Sequence, residues 1–275
     1  MIGSMLPASL VRKKDFGYDC VMRTAGLFAC VGLAISANCQ PSAPDNAQQQ
    51  AILSRIREGA ISYADRLQDF TCIEITVRSA GGLGAHTHWK RLEQQELELT
   101  YVAHREGLKL LKVNGKPATA GKIKKGAYFS PGGEFGSYFR KVFDPKAQAE
   151  FDWDHEEALL GRRTCVFRYR VPRSTSTWSV TANADEIVMG HHGVVHADRQ
   201  TGAVMRLQLE TEISDGKPVG IHADIHYGLV EIAGQEFLLP QTVEEIARYH
   251  GTLTKVEMEF RDYRKYSSDS TITFK

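Results

Sequence analysis

The sequence lacks the signatures of most catalytic folds. It has no Gly-x-Ser-x-Gly elbow, no phosphate-cradling glycine loop ending in Lys-Ser/Thr, and no His-Glu-x-x-His pair. These absences exclude elbow-type serine hydrolases, P-loop nucleotide chemistry and zincin peptidases. A charge of one sign is missing too: the formal net charge is +1 over 275 residues, without the basic footprint that nucleic acid requires. No segment after Gln40 approaches the roughly 20 apolar residues that span a bilayer. Cysteine is scarce: of five, only Cys72 and Cys165 lie beyond Cys39.

What is present begins at Met22–Gln40. Arg23 gives a positive start, Thr24–Ile35 is uncharged, and Ser36-Ala37-Asn38-Cys39 is small or polar. That is the layout of a secretory signal peptide. Met22 then reads as the true start, because Arg12-Lys13-Lys14, Asp15 and Asp19 precede the signal awkwardly. Cleavage follows Ala37 or Cys39. In the alternative, Cys39 carries a lipid and tethers the chain to a membrane; otherwise membrane contact is only transient. Residues 1–39 are thus a signal region, 40–50 a flexible Pro/Asn/Gln-rich linker and 51–275 one domain in the periplasm or secreted. Beyond Cys39 the chain has 30 Lys and Arg against 31 Asp and Glu. In an exported chain an isolated cysteine pair is most simply a Cys72–Cys165 disulfide. Strand alternation sets Cys72 with Glu74 and Arg78 but Cys165 with Phe167 and Tyr169, so the two side chains need not share a face.

Ile52, Ile56, Ala60, Tyr63, Ala64 and Leu67 recur at helical spacing, with Asp45 or Asn46 as cap. From Phe70 the period becomes two. Thr71, Ile73, Ile75 and Val77 alternate with Cys72, Glu74, Thr76 and Arg78. Asn114-Gly115, Leu160-Gly161, Asp198–Gly202 and Ala233-Gly234 read as hairpin turns, and a further turn is placed at Glu106-Gly107. Glu134–Phe143 reads as a short aromatic helix that Asp144-Pro145 ends. The fold class is α+β: a curled antiparallel sheet, or half-barrel, with an N-terminal amphipathic helix and an inserted short helix on its concave face.

Three residue groups invite chemistry. His191, His192, His196, His222 and His226 are metal-ligand types, but positions i and i+4 of a strand lie about 13 Å apart; no metal and no cofactor is expected. Asp152, Asp154, Glu156 and Glu157 are paired carboxylates on alternating strand positions, the usual wet face. The aromatic set is the most suggestive: Phe129, Phe135, Tyr138, Phe139 and Phe143, with Trp89, Tyr101, Trp153, Phe167 and Trp178 elsewhere. Core packing accounts for most of them, and an aromatic helix over a curved sheet can also act as a lid on an apolar cavity.

The hairpin Val195-His196-Ala197-Asp198-Arg199-Gln200-Thr201-Gly202-Ala203-Val204-Met205-Arg206-Leu207 resembles the D-x-x-T-G-x-x-x-R turn of the LolA-like outer-membrane lipoprotein carrier and sorting proteins. Asp69-Phe70-Thr71-Cys72, Cys165-Val166-Phe167 and Tyr227-Gly228 running to Phe237-Leu238-Leu239-Pro240 resemble uncharacterised exported bacterial proteins of that fold. The likeness spans roughly Ile52–Tyr266. It implies a non-enzymatic carrier that holds a lipid or lipoprotein acyl chain. Two other readings stay open: an envelope sensor that binds another protein, and a metal-dependent hydrolase using His192, His196 and His226.

Overall fold

The computed structural model describes residues 43–83, 87–118, 135–182, 185–212, 219–249 and 251–267. The signal segment, Phe129, the expected Ser130–Gly133 loop and Glu134, the expected first residue of the aromatic helix, lie outside them. Among the described residues no helix is long and apolar enough to cross a membrane.

Asp45 starts the first helix, α1 (Asn46–Ile61). Its carboxylate accepts from the Gln48 backbone N–H at 2.8 Å, and the Gln48 side chain accepts from the Asp45 backbone N–H. This reciprocal box satisfies two N–H groups that the first turn cannot. The expected apolar face is buried, but the helix breaks at Ser62, and Tyr63–Arg66 forms a separate turn, α2.

The strands are β1 (Phe70–Gly82), β2 (Lys90–Val102), β3 (Arg105–Val113), β4 (Lys116–Pro117), β5 (Glu150–Leu159), β6 (Arg162–Val171), β7 (Ser179–Ala182), β8 (Asp185–Val188), β9 (His191–Asp198), β10 (Val204–Thr211), β11 (Val219–Ile232), β12 (Gln235–Tyr249) and β13 (Thr252–Lys265). Between β4 and β5 sit α3 (Ser137–Phe143) and a 3₁₀ turn, Pro145–Ala147. Eleven strands form one curled, unclosed antiparallel sheet in the order β4-β3-β2-β1-β13-β12-β11-β10-β9-β6-β5, and β7-β8 pair separately. The sheet is a meander except where β1 joins β13 and where β6 joins β9.

Three hairpins turn through residue pairs that are both left-handed: Asn114-Gly115, Leu160-Gly161 and Ala233-Gly234. This backbone matches strand twist, which is why such dipeptides mark hairpins. The turn expected at Glu106-Gly107 lies three residues earlier. Ala103 and His104 take φ of 49° and 61° without a glycine, and Gly107 sits inside β3. There a Cβ would come within 2.7 Å of Thr100 Oγ1, so the glycine serves close strand approach instead of the turn.

The register assigns each residue to a face. The inner face, which shares its core with α1 and α3, carries Phe70, Cys72, Phe167, Leu207, Ile225 and Val243. Cys72 and Cys165 both lie in this core, correcting the unlike-faces reading. The expected disulfide is absent: both are free, buried thiols. They belong to β1 and β6, and β13, β12, β11, β10 and β9 lie between those strands in the sheet. Burial pushes both thiols up, Cys165 to about 11, so neither is a thiolate at neutral pH.

Candidate functional site

The sequence-predicted aromatics converge around α3. A seven-residue helix has almost no stability of its own, so packing holds it. Tyr138, Phe139, Val142 and Phe143 are all buried. The Phe139 ring meets Tyr63 and Tyr227, each with centroids 4.9 Å away. Phe143 stacks on Phe151 at 5.5 Å, and Tyr138 lies 5.2 Å from Trp178. Phe135, just before the helix, contacts Phe70, Tyr101 and Phe260. Phe167 is buried in the same core, edge-on to Trp153 at 5.3 Å. Trp89 is the exception: it lies under Lys255 Nζ, 5.4 Å from the ring centroid, outside this core. The chain enters α3 through Gly136 at φ 119°, where a Cβ would sit 3.0 Å from the Ala64 Cβ. Only glycine takes that conformation without strain.

Two clefts adjoin α3. One, about 240 Å³, is lined by Ala60, Tyr63, Leu67, Phe139, Val204 and Phe237 among others. The second, about 270 Å³, is lined by Ile61, Val142, Phe143, Pro145 and Phe151 among others. They share no lining residue, and residues of α1 and α3 line both.

Sequence reasoning missed the polar groups beneath this helix. Glu245 of β12 is fully buried and accepts a hydrogen bond from the Tyr138 hydroxyl. Burial pushes its carboxyl up to about 7, against the smaller downward pull of that bond. His191 of β9 is also fully buried, and burial, with Lys141 and His192, lowers its pKa to about 4. Glu245 Oε2 has no hydrogen-bond partner among the described residues, and the His191 ring reaches only the Lys141 backbone. On β1, Glu74 is buried with Thr76 as its 2.5 Å donor, and burial raises its pKa. The signal for Glu245 was available: Val243, Glu245 and Ala247 alternate along one face. The apolar Ile246 on the opposite face obscured it.

The outer face holds the other predicted groups, mostly in pairs. Arg206 faces His196 across one neighbouring strand and His226 across the other. The Arg206 guanidinium grips Asp224 through Nε at 2.9 Å and Nη2 at 2.5 Å; burial pushes the Asp224 carboxyl up, and Arg206, His226 and Gln208 together outweigh it and hold the carboxyl below its usual range. His196 Nδ1 sits 2.6 Å from Glu157, His226 lies 3.3 Å from Asp224, and His192 lies 3.9 Å from Glu210. Asp154 faces Arg168 there, whereas Glu156, opposite Cys165 in the register, pairs with Arg163 and Arg199 on the other side of the sheet. Among the described residues no three His, Cys, Asp or Glu side chains are grouped to hold a metal. A third cleft, about 550 Å³ and open, lies on this face along Ile75, Val77, Asp224, His226, Glu244 and Glu257.

No family model and no curated protein matches the chain. Among solved structures it is similar to a DUF1329 family protein from Desulfovibrio piger, at 10% identity and a TM-score of 0.35, covering 82% of this chain and 94% of that one. It is similar to a domain assigned to outer membrane lipoprotein sorting from Vibrio parahaemolyticus, at 10% identity and 0.36, covering 82% and 95%. It is also similar to a LolA superfamily protein from Nitrosomonas europaea, at 11% identity and 0.30, covering 82% and 97%.

Proposed function

We propose that the chain is an exported, non-enzymatic binding protein whose inner, concave sheet face takes up an acyl chain of a lipid or lipoprotein when α3 moves aside. The observation that carries this reading is the pair of clefts beside α3. Each alone, at about 240 and 270 Å³, falls short of the ~300–1,000 Å³ of an ordinary ligand pocket. Displacing Phe139, Val142 and Phe143 would join them across an apolar surface. The helix suits that role: it is short, it begins at the left-handed Gly136, and Asp144-Pro145 ends it. Phe135, Tyr138, Phe139 and Phe143 then act as a self-plug, with Tyr101, Phe167 and Trp178 in the wall. Phe129 and Trp89 remain lid candidates by sequence alone. Export to the periplasm rests on the Met22–Gln40 segment.

Native mass spectrometry of the protein expressed with its own leader in a bacterial host tests the reading. An adduct of acyl-lipid mass that organic extraction removes is expected. A bare chain that also takes up no lipid from detergent micelles contradicts it. The open 550 Å³ outer cleft favours a second reading, an envelope sensor that binds another protein there. That reading predicts partner binding unaffected by substitutions in α3.

A further inference from the structure

The acyl-binding reading leaves the headgroup unassigned, and the inner face has a polar pole for one. Glu245, Trp178 and His191 lie beneath α3, and Tyr138 of the helix reaches down to them. The Tyr138 hydroxyl donates to Glu245 Oε1, the Tyr138 ring is 5.2 Å from Trp178, and Trp178 is 5.9 Å from His191. Glu245 and His191 are both fully buried; the His191 ring reaches only the Lys141 backbone, and Glu245 Oε2 has no partner among the described residues. Buried polar atoms are ordinarily satisfied, so an unmet carboxyl oxygen in the wall of an apolar core points to a missing hydrogen-bonding group. The charged groups around the pole are few. Lys141 of α3 lies over Trp178 with its ammonium on the Thr177 carbonyl oxygen. Arg78 of β1 is on the Glu245 row but acts on Glu74.

Resting on that acyl-binding reading, we propose that Glu245 is the headgroup receptor. When α3 lifts, a hydroxyl of the ligand replaces the Tyr138 hydroxyl on the Glu245 carboxyl. Tyr138 is then the closed-state stand-in for the ligand, which fixes the ligand class: neutral, hydroxyl-bearing acyl amphiphiles such as a monoacylglycerol. A fatty acid is disfavoured, because its carboxylate would meet that of Glu245.

Displacement of a bound fluorescent fatty-acyl probe from the full chain by 1-monoolein and by oleate at pH 8 tests this. Wild type is expected to prefer monoolein about tenfold, the effect of one hydrogen bond of ordinary strength. Tyr138→Phe removes the competing hydroxyl and tightens monoolein binding several-fold, whereas a merely structural Tyr138 would leave affinity unchanged or weaken it. Glu245→Leu, checked for folding by near-ultraviolet circular dichroism, binds both without preference, and Glu245→Gln, which keeps the shape and an acceptor but no charge, still binds monoolein more tightly than Glu245→Leu does while admitting oleate. Equal displacement by both ligands in wild type overturns the receptor and leaves the acyl-binding reading standing. So does a preference that survives in Glu245→Leu. Displacement by neither overturns both.

Discussion

The two faces of the sheet treat charge in opposite ways. On the outer face ionic side chains are plentiful and matched: Asp224 with Arg206, Glu157 with His196, and Lys255 with both Glu244 and Glu257. Burial opposes the charge on Lys255, yet its two glutamates outweigh this and hold its pKa above the ordinary value. On the inner face titratable groups are few and mismatched. Glu74 is raised by burial, Glu245 is raised to about 7, and His191 is lowered to about 4. Matched pairs on a wet face add little stability and mainly keep the surface in order. Unmatched groups in an apolar core cost stability, and such cost concentrates where a protein has another use for the group. The difference teaches where to look: at the seat of α3, away from the conspicuous carboxylates and histidines.

The comparison breaks most sharply at Phe139, which is 1% exposed. Phe139→Ala is expected to lose about 3–5 kcal/mol in urea unfolding, the usual cost of truncating a buried aromatic. A loss under about 1 kcal/mol would mean that α3 is not truly seated.

Glu245→Gln comes next, read as a pH profile. Its folded pKa of about 7 lies above the 4.5 of an ordinary glutamate. The unfolded chain therefore gives up this proton first. The stability is full below 4.5 and is lost as pH rises through about 7. At about 1.4 kcal/mol per tenfold, the loss is roughly 3 kcal/mol by pH 8, and Glu245→Gln removes it. His191 has the opposite sign: its stability is present above 6.5 and lost as pH falls toward about 4. The two oppose each other between 4.5 and 6.5, so the difference in unfolding free energy between wild type and Glu245→Gln, followed from pH 4.5 to pH 8, isolates Glu245. A difference that stays flat over that range would contradict a desolvated carboxyl.

Outer-face substitutions should be milder. Asp224→Asn strips Arg206 of its bidentate acceptor on a partly buried site and is expected to cost about 1–3 kcal/mol. Glu257→Gln weakens a pair whose glutamate is 45% exposed and should stay within about 0.5 kcal/mol. If Glu257→Gln cost more than Asp224→Asn, the outer face would hold more than matched surface charge.

Much of this was legible in the sequence. The hairpins at Asn114-Gly115, Leu160-Gly161 and Ala233-Gly234 announce themselves through left-handed turn chemistry. The period-two strands follow, and Asp45 marks the start of α1. The Ala103-His104 turn was illegible, because nothing marks it when neither residue is glycine or asparagine. β1 misled in a deeper way. Its Ile73, Ile75 and Val77 alternate as a core face should, yet Cys72, Glu74 and Thr76 point inward. Their strand neighbours, Leu99 and Leu97 on one side and Met258 and Phe260 on the other, decide the face, and local alternation cannot see them. The aromatic cluster of the candidate site was legible as a cluster. Its polar floor was not, because Glu245 and His191 come from distant strands and meet α3 only in the folded sheet.

Hydrogen–deuterium exchange across residues 135–143, with and without saturating monoacylglycerol, tests the central claim most directly. The account predicts faster exchange in α3 on binding, as the helix leaves its seat, while the β11–β12 amides stay protected. Unchanged or slower exchange in α3 at full ligand occupancy would contradict it.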